Sequence, residues 1–197
     1  MSKELIQKAR KLAQEIVAPI TESVDKEGRF PKEAYDALKK QGFMGLLVPK
    51  EFGGLGLSIV EHASVCYELA RKDATTGLCY MMHNTGTSGI ISFGSAAMKD
   101  EFLPKIAKGE RAIALAYSES GSGTHFGLPD ISESLENGAR VLNGRKSFVT
   151  SALQADFYMT NTNSCKIKGA HNTWLVDRTL PNMIHEDSAW DGLGMRG

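Results

Sequence analysis

The chain has 197 residues, of which 42% are hydrophobic and 23% are charged, and its 23 acidic side chains balance its 23 basic ones. This composition is typical of a soluble globular protein, and the length allows one large domain or two small ones. A net charge of zero argues against a nucleic-acid surface, which needs a basic excess, and no apolar run approaches the roughly 20 residues of a membrane span.

The N-terminus and the cysteines bear on the compartment. The first ten residues are charged throughout and lack the apolar core of a signal peptide. The three cysteines are odd in number and have no metal-ligand spacing, so we interpret them as free thiols in a reducing compartment: Cys66, Cys79 and Cys165. We therefore expect a cytoplasmic protein. The five histidines also lack paired ligand spacing, so no metal site is expected.

Helical spacing of apolar residues dominates the first half of the chain. It predicts a helix over residues 3–17, which Pro19 is expected to end, and a second that begins at Phe30-Pro31 and ends before Gly42. Residues 42–56 then form a glycine-rich loop.

Two capping signals follow this loop. Ser58 and Glu61 form a capping box that opens a helix to about residue 71. Asp73 is expected to cap the next helix, which is apolar nearly all round and therefore predicted to be buried and central. Gly94 ends it, and Ser95 begins a short last helix that ends near residue 108.

After residue 109 the apolar period changes from helical to alternating. It predicts strands over residues 112–117, 131–136, 139–142, 146–150, 156–161 and 174–177. Asn137-Gly138 and Asn143-Gly144 are hairpin turn signals. We therefore expect an α+β protein with a helical domain over residues 1–110 and a β domain over residues 111–197.

Two polar stretches stand out in the β half. In Ala112-Ile-Ala-Leu-Ala-Tyr-Ser-Glu-Ser-Gly-Ser-Gly-Thr124 an apolar strand runs into a turn whose glycines allow close backbone approach and whose hydroxyls can donate to a ligand. Asn143-Gly-Arg-Lys-Ser-Phe-Val-Thr150 would place an aromatic ring and a hydroxyl on one strand face. By themselves such features are more often an ordinary loop and ordinary sheet packing.

With two further stretches, these motifs resemble the acyl-CoA dehydrogenase flavoprotein family. Residues 118–125, S-E-S-G-S-G-T-H, are similar to its T-E-P-x-A-G-S-D segment, and residues 143–151, N-G-R-K-S-F-V-T-S, to its N-G-x-K-x-W-I-T-N segment. Residues 48–57, V-P-K-E-F-G-G-L-G-L, and 192–196, G-L-G-M-R, are similar to its P-E-x-Y-G-G-L-G and G-x-R motifs. Three positions depart from the pattern: Ser120, His125 and Phe148.

The resemblance implies a fold, a reaction and partners. The fold would be a helical N-terminal domain followed by an antiparallel, barrel-like β domain. The family's C-terminal helical domain, which carries the catalytic carboxylate and the tetramer helices, would be absent, so we expect a fragment with little activity. The implied reaction is α,β-dehydrogenation of an acyl-CoA thioester with hydride transfer to N5 of FAD. The implied partners are acyl-CoA and an electron-transfer flavoprotein or another acceptor, in a full-length homotetramer.

The resemblance also implies roles for individual residues, and no catalytic residue within the chain. The expected FAD-binding residues are Leu115, Tyr117, Ser118, Gly123, Thr124, Phe148, Val149 and Thr150. Thr124 and His83 are candidates for substrate contact, although a histidine on a buried helix is more often a hydrogen-bonded core residue. Glu119 is the one carboxylate in the signature turn, but the matching family residue belongs to the turn and is not the base.

Two other functions remain open at this stage. Flavin-dependent monooxygenases and oxidases share the scaffold, and nothing in these 197 residues separates them from dehydrogenases. A non-catalytic binding protein that retains the fold is the third reading, which the drifted turn residues Ser120 and His125 permit.

Overall fold

The computed structural model describes residues 2–125, 127–186, 190, 192 and 194–197. Helices occupy the first half of this part and a five-stranded sheet the second, which confirms the α+β class. The helices are α1 (Ser2–Leu12), α2 (Ala18–Glu27), α3 (Lys32–Lys40), α4 (Ile59–Ala70), α5 (Ala74–Phe93) and α6 (Ala96–Ala107). The strands are β1 (Ile113–Ala116), β2 (Ser132–Glu136), β3 (Ala139–Asn143), β4 (Phe157–Asn163) and β5 (His171–Asp177).

The first helix does not end at Pro19, so that expectation was wrong. A π-helical turn, Ala13–Val17, joins α1 to α2, and the N–H of Ala18 bonds to the carbonyl of Ala13, five residues back. Proline inside a regular α-helix collides with the carbonyl four residues before it. The extra residue of the π turn shifts the hydrogen-bond register, so Pro19 falls in the first turn of α2, where its missing N–H is tolerated.

The other helix signals are confirmed. Ser58 and Glu61 form the capping box of α4, and Asp73 caps α5 by accepting the N–H of Thr76. Gly42, just past α3, has φ 78°, in the left-handed region that glycine favours. Helix α5 is central: its residues pack against α4, α6 and strand β1.

The sheet is mixed, so the expected purely antiparallel pairing was wrong. Strand β4 is its centre: β5 pairs antiparallel along one edge, and β1 and β2 both pair parallel along the other. β1 covers residues Phe157 to Thr160 of β4, whereas β2 joins only at Asn163. The chain between β1 and β2 therefore leaves the sheet and returns to the same edge of β4 a few residues further on.

One of the two predicted hairpin turns is real. Asn137 and Gly138, both with positive φ, connect β2 to β3 as a two-residue turn. Residues 146–150, which follow Asn143-Gly144, were predicted to form a strand, but they do not form one. Phe148 has φ 56°, which a strand excludes, and a Cβ at Gly144 would collide with Ile131. This glycine thus serves a close chain crossing.

The helices and the sheet share a core. A buried cluster combines Ile90, Leu103 and Ile106 of α5 and α6 with Ile113 and Met159 of β1 and β4. Gly86 of α5 allows this approach, because a Cβ there would lie 2.5 Å from Ile113 Cγ2. No helix in the described part of the chain is long and apolar enough to cross a membrane.

The capping box of α4 allows a direct test. Replacing Ser58 with Ala leaves the N–H of Val60 without its side-chain acceptor, so we expect the free energy of unfolding to fall by about 1 kcal/mol in urea denaturation. Ser64→Ala, inside the same helix, is the matched control and should change it by less than about 0.5 kcal/mol. Equal losses for the two variants would contradict a capping role.

Candidate functional site

Lys146 connects the two signature stretches. Its ammonium donates to the Glu119 carboxylate, to the carbonyl of Tyr117 at 3.3 Å and to Asn161 Oδ1 at 2.9 Å. An ammonium has three N–H donors, so all of its donors are used. The Lys146 side chain is only 11% exposed and that of Glu119 only 4%. This is therefore a buried ion pair with its hydrogen-bonding capacity filled.

Glu119 extends the same network to the start of β2. Its second carboxylate oxygen accepts the backbone N–H of Asp130 at 2.8 Å and of Ile131 at 3.3 Å. Both oxygens are thus engaged by the protein. Glu119 fixes the two ends of the loop between β1 and β2, which agrees with a turn residue and not with a base.

Polar side chains of β4 bond to the end of β1 and to the loop that follows it. Thr160 Oγ1 donates to the carbonyl of Ala116 at 2.7 Å, Asn161 Nδ2 to Gly127 and Asn163 Nδ2 to Pro129. Thr160 and Asn161 are buried, which such groups tolerate only when hydrogen-bonded. The gap between β1 and β2 on the edge of β4 is thereby filled with satisfied polar contacts.

The tip of the loop is left open to solvent. Ser122 Oγ donates to the carbonyl of Glu119 and accepts its N–H, which closes the turn. Gly123 has φ 52°, as its predicted conformational role requires, and Gly123 and Thr124 are exposed. Within the described part of the chain their N–H groups have no protein acceptor.

The second stretch lies beside the first. The N–H of Ser147 donates to the carbonyl of Ser118 at 2.8 Å. Val149 packs on the buried cluster of Ala114, Ala116, Ala155 and Tyr158, and the Tyr158 hydroxyl donates to the carbonyl of Ala152. Segment 147–152 is therefore held at both ends against β1 and β4.

Phe148 and Ser151 have left-handed backbones, with φ 56° and 63°. Such conformations cost free energy in residues other than glycine and persist where the surroundings enforce them. The Phe148 side chain is 70% exposed, and its ring contacts Trp190 with centroids 5.0 Å apart. The aromatic ring thus projects outward from the same edge as the loop.

The structure brings most of the predicted cofactor residues together at this edge. Ser118 and Phe148 to Thr150 are neighbours through Ser147, whereas the side chains of Leu115 and Tyr117 pack into the core cluster of α5 and α6. In the described residues the hydroxyls of Ser118, Thr124 and Thr150 have no protein hydrogen-bond partner, in contrast to Ser122, Thr160 and Thr162. The three predicted hydroxyl contacts are therefore available to a ligand, although Ser151 Oγ in the same region also has no partner among the described residues.

His83 lies elsewhere, inside the protein. Its Nε2 donates to the carbonyl of Met44 at 3.1 Å, and its Nδ1 accepts the N–H of Ile113 at 3.3 Å. Burial lowers its pKa to about 4, against the opposite effect of the hydrogen bond to Met44. Because both nitrogens have protein partners, the geometry favours the core alternative over substrate contact, which stays an untested prediction.

Sequence reasoning missed three residues of this region: Lys146, Asn161 and Trp190. Lys146 was visible as the lysine of the N-G-x-K motif, but its partner Glu119 lies 27 residues away. Asn161 was visible only as a polar residue within a strand.

Arg196, the last residue of the G-x-R stretch, lies on the helices, where its Nε donates to Asp25 and its N–H to Thr75 Oγ1.

A helical unit followed by a mixed sheet is an architecture found in flavoproteins of known structure. The model of the acyl-CoA dehydrogenase N-terminal domain matches residues 2–110, more than half of the chain. The chain therefore belongs to the acyl-CoA dehydrogenase family, as the resemblance implied.

Individual relatives agree with this assignment. An acyl-CoA dehydrogenase of Bacillus subtilis is 31% identical over 175 residues, 87% of this chain and 46% of the relative. A 3-(aryl)acrylate reductase of Clostridium sporogenes is 32% identical over 88% of this chain and 47% of the relative. A Bacillus anthracis acyl-CoA dehydrogenase structure, complexed with FAD, shares the fold with a TM-score of 0.81 at 24% identity, over 90% of this chain and 30% of its own. The chain spans about half the length of the curated relatives it matches.

The buried pair of Lys146 and Glu119 is expected to dominate local stability. Lys146→Met leaves a buried carboxylate without its cation, so the free energy of unfolding should fall by roughly 3–5 kcal/mol. The Glu119→Gln/Lys146→Met double variant should lose much less than the sum of the two single variants. Arg145→Met is the control, because its pair with Glu186 is exposed and should contribute under about 1 kcal/mol. Additive losses in urea denaturation would contradict this coupling.

His83 predicts a pH dependence of stability. Its folded pKa of about 4 lies below the ordinary 6.5, so the unfolded chain binds the proton more readily. The contribution of His83 to the free energy of unfolding is fully present above pH 6.5. It decreases by roughly 3 kcal/mol as the pH falls to about 4. His83→Gln should flatten this slope, whereas exposed His171→Gln should not. An unchanged slope in His83→Gln would show that another group titrates.

Proposed function

We propose that this chain forms the FAD-holding part of an acyl-CoA dehydrogenase-type oxidoreductase. In this proposal residues 1–110 are the helical N-terminal domain and residues 111–197 the β domain. The reaction is α,β-dehydrogenation of an acyl-CoA thioester. Bound FAD would supply the hydride acceptor, and the residues of this chain would bind and orient it.

One observation carries the proposal: at one edge of the sheet, the groups that fix the backbone are paired and those predicted to meet the cofactor are not. Lys146, Glu119 and Asn161 form their hydrogen bonds with other groups of the protein. The hydroxyls of Ser118, Thr124 and Thr150 have no partner among the described residues. A backbone held rigidly by internal hydrogen bonds, with unpaired hydroxyl donors beside it, is suited to bind a heterocycle that has polar groups along its edge.

The residues divide between the two ends of the cofactor. The N–H groups of Gly123 and Thr124, which are exposed and have no protein acceptor among the described residues, suit the pyrophosphate oxygens. Ser118 and Thr150 suit the polar rim of the isoalloxazine ring, and the exposed Phe148 ring suits its face. The backbones of Leu115 and Tyr117 would contribute along β1, since their side chains are packed inside.

Proton abstraction is not assigned to this chain. Glu119 has both oxygens engaged, and a base must reach the proton that it takes. We place the base in the part of the relatives that this chain does not span. Transfer to an electron-transfer flavoprotein or another acceptor, and assembly into a homotetramer, belong to the same proposal for the whole protein.

Two assays would determine the direction of the reaction, oxidation or reduction, and the class of substrate. The Clostridium sporogenes relative is a reductase of 3-(aryl)acrylates and is as similar to this chain as the dehydrogenase of Bacillus subtilis. We expect reduction of an artificial acceptor by acyl-CoA in a protein that joins this chain to the remaining half of a relative, and little turnover by the chain alone. Arylacrylate reduction without acyl-CoA oxidation would support the reductase, and rapid oxygen consumption would support an oxidase or monooxygenase.

Cofactor binding is testable on the chain itself. Titration with FAD, followed by flavin fluorescence and absorbance, should show binding that Ser118→Ala, Thr124→Ala and Thr150→Val each weaken by about fivefold to tenfold, because each removes a hydrogen bond of about 1 kcal/mol. Thr150→Val should also shift the flavin absorbance, since it acts at the ring. Thr173→Val, on exposed β5, is the matched control and should bind as the wild type does. Wild-type affinity and an unshifted spectrum in all three variants would contradict the site.

A further inference from the structure

Trp190 reaches the candidate site from a distant part of the chain. Its indole ring lies against the Phe148 ring, with the centroids 5.0 Å apart and the planes at 59° to each other. Phe148 remains 70% exposed despite this contact, and Trp190 is 47% exposed. The two rings therefore form one aromatic surface that is still open to solvent, beside the unpaired hydroxyls of the site.

The chain after Trp190 is fixed to the helices. The carbonyl of Trp190 accepts a hydrogen bond from Arg196 Nη1 at 3.4 Å. Arg196 Nε in turn donates to Asp25 of α2 at 3.2 Å, and the Arg196 N–H donates to Thr75 Oγ1 of α5 at 3.1 Å. The Arg196 side chain is only 16% exposed. An ion-paired, mostly buried arginine thus connects the backbone of Trp190 to two helices.

A second feature fixes the indole ring itself. The ring packs directly over Gly192, where a Cβ would lie 2.3 Å from Trp190 Nε1 and 2.7 Å from its Cε2. Any larger residue at this position would push the ring away, because glycine alone lets another group approach its backbone so closely. The position of the Trp190 ring therefore depends on the close contact with Gly192 as well as on the Arg196 anchor.

The indole N–H of Trp190 is available to a ligand. It has no acceptor among the described residues, whereas Trp174, the other tryptophan of the chain, donates its N–H to Thr162 Oγ1 at 2.9 Å. Tryptophan combines a large apolar face with one donor at its edge, and that donor usually finds a partner when the ring is covered. The aromatic surface thus offers an apolar face and a hydrogen-bond donor together.

We infer that Trp190 is a further cofactor-binding residue, which together with Phe148 forms the surface against which the isoalloxazine ring of FAD packs. This inference rests on the proposed function and adds a residue to the same site. The N–H of Trp190 would donate to an acceptor on the rim of the ring, whose carbonyl oxygens and unprotonated nitrogens provide several. Trp190 lies outside the two signature stretches, so its role depends on the folded chain bringing it to Phe148.

The test follows FAD affinity and the emission of bound flavin, excited in the visible, where tryptophan does not absorb. Trp190→Ala should weaken FAD binding about fivefold, because it removes an aromatic contact and a donor. An indole in contact with excited flavin quenches its emission, so Trp190→Phe should raise the emission of bound FAD severalfold. Trp174→Phe removes the other indole and is the matched control, which should leave both affinity and emission unchanged.

Two further measurements locate the effect. Gly192→Ala retains the tryptophan but displaces its ring, so it should also weaken FAD and raise the emission. Riboflavin has the isoalloxazine ring without the pyrophosphate. Trp190→Ala should therefore weaken riboflavin by the same factor as FAD, whereas Thr124→Ala should weaken FAD alone. If Trp190→Ala does not fold, Trp190→Phe and Gly192→Ala still decide the question.

The outcomes separate this inference from the proposed function. A wild-type chain that binds neither FAD nor riboflavin would contradict both. If the chain binds FAD, and the folded Trp190 and Gly192 variants keep the wild-type affinity and emission, the flavin site stands and the role of Trp190 is wrong.

Discussion

The buried ion pair between Lys146 and Glu119 is the constraint on which the candidate site depends. Two strands, β1 and β2, share one edge of β4 and leave a gap between them, and the chain must cross this gap with its polar backbone satisfied. Lys146 and Glu119 satisfy it by binding Tyr117, Asn161 and the N–H groups at the start of β2. Removing either partner would leave an uncompensated buried charge, so the loop depends on both residues.

Helix α5 carries this arrangement into the helical half. His83 links Met44, in the 42–56 loop, to the first residue of β1, Ile113. Gly86, one turn further, lets the strand approach the helix closely. Since β1 leads directly into the signature turn, the position of the turn is fixed relative to the helices through this contact. The helical half is therefore part of the support of the site and more than an adjoining unit.

The sequence predicted those features whose cause is local. The capping box at Ser58, the cap at Asp73 and the hairpin at Asn137-Gly138 each depend on a few neighbouring residues, and all three are present. Two of the errors have distant causes. The parallel pairing of β1 with β4 and the loss of the strand at 146–150 depend on contacts between segments far apart in the chain. Local propensity does not contain that information.

The site shows the same limit in its chemistry. The motif resemblance identified hydroxyl-bearing and aromatic positions, and the structure gathers them at one edge. The resemblance did not distinguish side chains that bond within the protein from side chains that are left available to a ligand. Thr124 and Ser122 are both hydroxyls of one turn, yet only Ser122 is used by the protein. Phe148 was expected beside Thr150 on a strand face, but its backbone is left-handed and its side chain is exposed. The distinction follows from where hydrogen bonds form in the folded chain, because most buried polar groups are paired within the protein and an exposed one at a rigid edge remains available to a ligand.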